Sequence, residues 1–106
     1  MIQIKTKKEL QEILNTEENV FLKFSASWCG PCQTLSNTIH QLEDDMLNIK
    51  FVEVDVDDAD EDLVTEYQVM SIPKSVMFKN GKNVGTIIGA LPKSTLINKF
   101  TEILTI

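Results

Sequence analysis

The sequence predicts an α/β fold in which a mixed central β-sheet of about five strands is flanked on both faces by about four helices. Three observations carry this expectation. Apolar, strand-like runs recur at 20–26, 51–56, 75–79 and 84–88; stretches with helical spacing of apolar residues alternate with them; and Asn80-Gly81 supplies a hairpin signal between the last two strands. Strands alternating with helices call for parallel crossovers and a hairpin for an antiparallel pair, so the sheet should be mixed.

Taken in order, Ile2 and Ile4 alternate with polar residues as in a short edge strand. Thr6 and Glu9 have the capping-box spacing that starts a helix, and Leu10, Ile13 and Leu14 give that helix its buried stripe. The nearly continuous apolar run at 20–26 reads as a strand covered on both faces, and it leads directly into Cys29 and Cys32. Pro31 suits the first turn of a helix whose Leu35, Ile39, Leu42 and Met46 recur at spacings of four, three and four. In 51–56, Val52, Val54 and Val56 share one face and Glu53 and Asp55 the other. Asp58 with Glu61 has the spacing to cap a helix running to about Tyr67. Ile72-Pro73 then introduces the hairpin, and Leu96, Phe100, Ile103 and Leu104 mark a final helix.

With 106 residues, 42% hydrophobic and 25% charged, the chain is sized for one core, and a single domain spanning 1–106 is expected. It has no repeat and no Pro/Gly/Ser-rich linker. A net charge of −6 disfavours nucleic acid and anionic membranes as partners and favours basic ones. No apolar stretch has the length of a signal sequence or membrane span, so a cytoplasmic place is expected.

The only cysteines, Cys29 and Cys32, lie two residues apart, and a disulfide closing so small a loop removes little unfolded-state entropy. In a reducing compartment such a pair is better explained by redox chemistry or metal binding than by a structural staple. The thiolate is the nucleophile in disulfide exchange, and Cys29, at a predicted helix N-terminus, faces the N–H groups and positive dipole end that favour it. Cys32 lies one turn deeper, placed to attack a mixed disulfide rather than to meet a protein substrate first. Gly30 permits close approach of a substrate backbone, Pro31 stiffens the turn, and Trp28 offers a flat apolar wall. Zinc sites also use this cysteine spacing, but they normally take four ligands and His40 is the sole histidine. No metal is expected within one chain, while a metal or cluster shared between two chains stays open.

Over essentially its full length the sequence resembles the thioredoxin family. The resemblance rests on Phe24-Ser25-Ala26-Ser27-Trp28-Cys29-Gly30-Pro31-Cys32, Val52-Glu53-Val54-Asp55-Val56-Asp57, Ile72-Pro73, Phe78-Lys79-Asn80-Gly81 and Gly89-Ala90, all in the family's order. It implies the thioredoxin fold and a monomer that reduces protein disulfides, with Cys29 as nucleophile and Cys32 as resolving thiol. It also implies no tightly bound cofactor, re-reduction by a thioredoxin reductase, an NADPH-linked flavoprotein, and a cis bond at Ile72-Pro73. The implied substrate-docking surface comprises Trp28, Gly30 and Pro31, together with Met70, Ser71, Ile72 and Pro73, and with Gly89 and Ala90. The alternative is a binding module or complex subunit of the same fold in which redox turnover is incidental.

The chain departs from the family at Lys23, where an aspartate usually lies beneath the cysteines. Lys23 and Glu53 interrupt apolar strands that the fold places side by side, so a charge pair is one expectation, with Glu53 taking over the proton traffic at Cys32. In the other, Lys23 extends to solvent and Glu53 sits on an exposed face. A cation near the sulfurs would favour thiolate and make the protein less reducing. Lys74, where threonine is common, is expected to put positive charge near the docking groove, and Asn37, replacing a frequent proline, to leave its helix straighter. His40 and the acidic run from Asp57 to Asp62 read as solvated surface, and Met77 as core.

Overall fold

The computed structural model describes residues 1–104; the last two positions of the expected 1–106 domain lie outside them. Nine elements follow in the predicted order: β1 (Ile2–Gln3), α1 (Lys7–Thr16), β2 (Asn19–Ser25), α2 (Gly30–Glu43), β3 (Lys50–Asp55), α3 (Glu61–Glu66), β4 (Lys74–Lys79), β5 (Lys82–Ile88) and α4 (Lys93–Leu104). The strands form one sheet in the order β1-β3-β2-β4-β5. β1 and β2 run parallel to β3, and β4 is antiparallel to both β2 and β5.

Local chemistry sets the ends of these elements. Thr6 Oγ1 accepts the Glu9 N–H and the Glu9 carboxylate accepts the Thr6 N–H, a complete capping box for α1. Asn80 and Gly81 both have positive φ, 52° and 81°, as the predicted two-residue hairpin turn requires. β2, central in the sheet, is buried at all seven positions, which accounts for its unbroken apolar run.

Two cores result. On one face Val20, Leu22, Phe24, Val52, Val54, Val76 and Phe78 pack with Leu10 of α1 and Leu63 of α3. On the other, Phe21, Phe51, Met77 and Ile87 meet Leu35, Ile39 and Leu42 of α2 and Leu96, Phe100 and Leu104 of α4. Phe100 lies edge-on to Phe21 and Phe51, with ring centroids 5.4 and 5.9 Å away, and each such buried side chain contributes about 1.5–3 kcal/mol.

Beside that aromatic cluster the second face turns polar. The strand register sets Gln3 against Glu53, Glu53 against Lys23, Lys23 against Ser75 and Ser75 against Ile87, so a polar row crosses four neighbouring strands.

Three local expectations need correction. α3 begins at Glu61 after Asp60, which makes no side-chain cap bond, because Asp58 and Ala59 are held in a turn closed on the Asp55 carbonyl; Asp58 instead pairs with Lys5 at 2.9 Å. α2 ends at Glu43, so Met46 lies beyond it, although its N–H still reaches the Leu42 carbonyl and its side chain packs on the core. At the edge, β1 is only two residues long, so Ile4 lies beyond it, although its N–H still reaches the Glu53 carbonyl at 3.0 Å.

Candidate active site

β2 delivers the chain to the C-terminal end of the sheet, and α2 starts there. Cys29 is the N-cap of α2, its extended backbone (φ −93°, ψ 112°) halting the strand direction before Gly30 enters the helix. Its sulfur accepts the Cys32 N–H at 3.2 Å, satisfying one of the free donors at the helix start. Cys29 and Cys32 are joined in a disulfide, with Cα atoms 5.2 Å apart. The two sulfurs are not equivalent: Cys29 keeps slight exposure while Cys32 is fully buried.

Around the disulfide the sequence-predicted residues assemble from three loops. Ile72-Pro73 is cis, and the Ile72 carbonyl oxygen lies 3.9 Å from Cys29 Sγ. Ile72 and Val56 pack against Ala26, Cys29 and Cys32. Pro73 is buried, and its carbonyl accepts the Gly89 N–H at 2.8 Å. That bond ties the third loop to the second, and Gly89, at φ 86°, occupies a conformation that a side chain would disfavour. Gly30, Pro31 and Ser71 are exposed, Ile72, Gly89 and Ala90 are half-buried, and Trp28 and Met70 are 71% and 92% exposed.

Trp28 is held from a direction that sequence reading missed. Its indole N–H donates to Asp57 Oδ2 at 2.7 Å, and the Asp57 N–H is itself fixed by Asp55 Oδ1 at 2.9 Å. Asp57 is exposed, as expected of the acidic run, but it also carries this bond. The available signal was topological: parallel β2 and β3 end side by side, and Trp28 and Asp57 follow them.

Beneath the disulfide, Lys23 is fully buried and Glu53 keeps 15% side-chain exposure. Lys23 Nζ donates to Glu53 Oε2 at 3.0 Å, to the Cys32 carbonyl at 2.9 Å and to Ser36 Oγ. The alternative in which Lys23 reaches solvent and Glu53 lies exposed is therefore overturned, because the central strand is covered on both faces and Glu53 lies beside it in register. The Lys74 ammonium donates to the Tyr67 and Gln68 carbonyls at the end of α3. α2 runs unbroken through Asn37, His40 is exposed 3.5 Å from Glu43, and Met77 is core. Among the described residues no group of three or more His, Cys, Asp or Glu side chains is placed to hold a metal.

The thioredoxin family model matches residues 1–102. The chain belongs to the thioredoxin family. Thioredoxins of Mycoplasma genitalium and Mycoplasmoides gallisepticum are 37% and 40% identical to it, covering 94% and 91% of this chain and 97% and 95% of their own. A solved cysteine-to-serine mutant of Entamoeba histolytica thioredoxin is 33% identical with TM-score 0.84, over 96% of this chain and 98% of that one. A chain solved in work on the thiol-resolving mechanism of yeast mitochondrial 1-Cys peroxiredoxin via the glutathione and thioredoxin systems has TM-score 0.86 at 25% identity, over 100% of this chain and 95% of that one. The five-strand, four-helix architecture is thus the thioredoxin fold, and the chain is a thiol–disulfide oxidoreductase acting on disulfide substrates.

Proposed function

We propose that this thioredoxin-family chain reduces protein disulfides with Cys29 as the attacking thiolate and Cys32 as the resolving thiol. The observation that carries the assignment is the asymmetry at the start of α2. Cys29, at the N-cap, borders an open surface bearing Trp28 and the Ile72 carbonyl, whereas Cys32 is sealed beneath it. A partner sulfur can reach Cys29 alone, and the helix N–H groups there favour its thiolate. The reaction then runs through a mixed disulfide that Cys32 opens.

An extended partner segment would lie across Trp28, Gly30 and Pro31, contact Met70, Ser71 and Ile72, and end near Gly89 and Ala90. Oxidised protein would be returned to the dithiol by an NADPH-linked flavoprotein thioredoxin reductase. The yeast peroxiredoxin work makes a peroxiredoxin a natural test partner. A redox-active pair that reaches the surface only at Cys29 suits a monomer working in the cytoplasm, without nucleic acid or membrane; among the described residues no helix is long and apolar enough to cross a bilayer. Insulin-disulfide reduction with dithiothreitol tests the assignment. Cys29→Ser should abolish activity, and Cys32→Ser should trap a mixed disulfide detectable by mass spectrometry. Full activity in Cys29→Ser would sink the mechanism, and an inactive wild type would point to a binding module instead.

A further inference from the structure

The net charge of −6 is an average over two parts of opposite sign. Every Asp and Glu except Glu102 precedes Tyr67, whereas Lys74, Lys79, Lys82, Lys93 and Lys99 all follow it. The fold keeps these parts apart. In the sheet order β1-β3-β2-β4-β5, the acidic segments build the β1–β3 side with α1 and α3, and the basic ones build β4, β5 and α4.

The disulfide lies on the boundary between them. At its end of the sheet Asp57 follows β3 and Cys29 follows β2, while Ile72 and Pro73 lead into β4. Gly89 and Ala90 follow β5, and the pairing of Lys74 with Ile88 sets these last two loops side by side. On the first flank Asp57 accepts the Trp28 indole N–H, and Asp58, Asp60 and Glu61 come after it, all exposed. Lys5, 2.9 Å from Asp58, is the cation paired there. On the other flank Lys93 is exposed three residues beyond Ala90, and its ammonium has no ion-pair partner among the described residues. Lys93 also opens α4, where the positive end of the helix dipole favours an acid, yet the first turn holds none. Helix stability therefore gives no reason for a cation at this position. Lys74, next in the chain to Pro73, adds a second cation on the same side.

We propose that this change of sign across the docking surface orients the partner. An extended disulfide-bearing segment binds with its basic residues on the Trp28–Asp57 flank and its acidic residues on the Gly89–Lys93 flank, and Lys93 is the residue that fixes this direction. The proposal rests on the docking surface assigned above to Cys29. A segment laid in reverse meets like charges on both flanks, a repulsion that discriminates as strongly as the attraction it replaces. Average charge has no such power, since a segment with equal numbers of both signs carries none. Exposed charges of this kind act chiefly on encounter, and salt screens them over about 8 Å at physiological ionic strength. Selection among protein disulfides is thus separated from the sulfur chemistry.

Two disulfide-linked peptide homodimers of equal composition provide the test. In one, each chain has lysines before its cysteine and glutamates after it; in the other the order is reversed. Reduced protein is mixed with each dimer, the reaction is quenched in acid, and freed peptide is measured by chromatography. Each rate is divided by the rate with dithiothreitol, which removes intrinsic differences between the two disulfides. One order should react about fivefold faster at low salt, and the ratio should approach unity in about 1 M sodium chloride, where the screening length is about 3 Å. Lys93→Glu should abolish or invert the preference, and Lys93→Gln should weaken it. Lys93→Glu is expected to fold, because it places an acid at a helix start. Lys82→Glu changes the net charge equally but at the hairpin end of β5, and should leave the ratio as in wild type. Equal rates for the two orders in wild type overturn the proposal. So does a Lys82→Glu effect as large as that of Lys93→Glu, which is what average charge alone gives. Cys29→Ser should reduce neither dimer; activity there would sink the cysteine assignment and this proposal with it, whereas an inactive Cys29→Ser beside equal wild-type rates removes only the role of charge.

Discussion

The two faces of the sheet are built from the same strands and each is covered by two helices, yet they differ in what lies under those helices. The face beneath α1 and α3 is apolar throughout, from Val20 to Phe78. The face beneath α2 and α4 begins in the same way, with Phe21, Phe51 and Phe100 in mutual ring contact, and then gives way to Lys23, Glu53 and Ser75 under the disulfide. Ser75 Oγ is fully buried without a hydrogen-bond partner among the described residues, an arrangement that costs about 1–3 kcal/mol. Stability is concentrated in the apolar layers, while the polar row sets the Lys23 ammonium against the Cys32 carbonyl.

Truncations in the two cores should have the largest effects and should match. Phe100→Ala on the α4 side and Leu22→Ala on the α1 side are each expected to cost about 3–5 kcal/mol in urea unfolding, enough to approach the whole stability of a domain this size. A cost under about 1 kcal/mol for Phe100→Ala would mean that the face carrying the site is loosely packed, and the comparison would break.

Lys23→Met should come next, at about 2–4 kcal/mol, below the usual cost of breaking a sealed pair because Glu53 retains some solvent contact. Adding Glu53→Leu should recover most of that stability, since an apolar pair of similar volume suits the site. A double variant no more stable than Lys23→Met would show that the charge pair itself, rather than the volume it fills, holds this part of the sheet.

Smallest is the capping box, remote from both cores. Thr6→Ala should cost about 1 kcal/mol, lower Tm by about 4–8 °C and leave insulin reduction untouched. Glu9 adds a pH signature. The backbone N–H of Lys5, then the Thr6 side chain and N–H, hold its carboxyl below the usual carboxylate range. A carboxyl depressed on folding stabilises above its unfolded pKa and loses that contribution as pH falls through the folded value. The stability gap between wild type and Glu9→Gln should therefore close on acidification, as thermal unfolding at neutral and acid pH would reveal; a gap that widened would contradict the hydrogen bonds at this cap.

Much of the fold was legible because its signals are local. Asn80-Gly81 needs only its own backbone preference to make the hairpin, and the Thr6–Glu9 box needs only four residues. α3 was misjudged because Asp58 has the composition of a cap, while a turn closed on Asp55 and an ion pair to Lys5 claim it first. For Lys74 the charge was visible in the sequence, but the carbonyls at the end of α3 that hold it were not. The Trp28–Asp57 bond lay beyond local reading altogether, since its partners are 29 residues apart.

The sequence by itself determined the order of strands and helices, the turn, the cysteine pair at a helix N-terminus and the presence of two charges in apolar strands. Hydrophobic period, backbone preference and residue spacing are written along the chain. Only the tertiary structure decided that Lys23 and Glu53 are partners, that Lys23 is sealed while Glu53 opens to a cleft, and that Cys32 rather than Cys29 lies beside them. Those facts depend on strand register and on which helix covers which row, and each is fixed by contacts between residues distant in sequence.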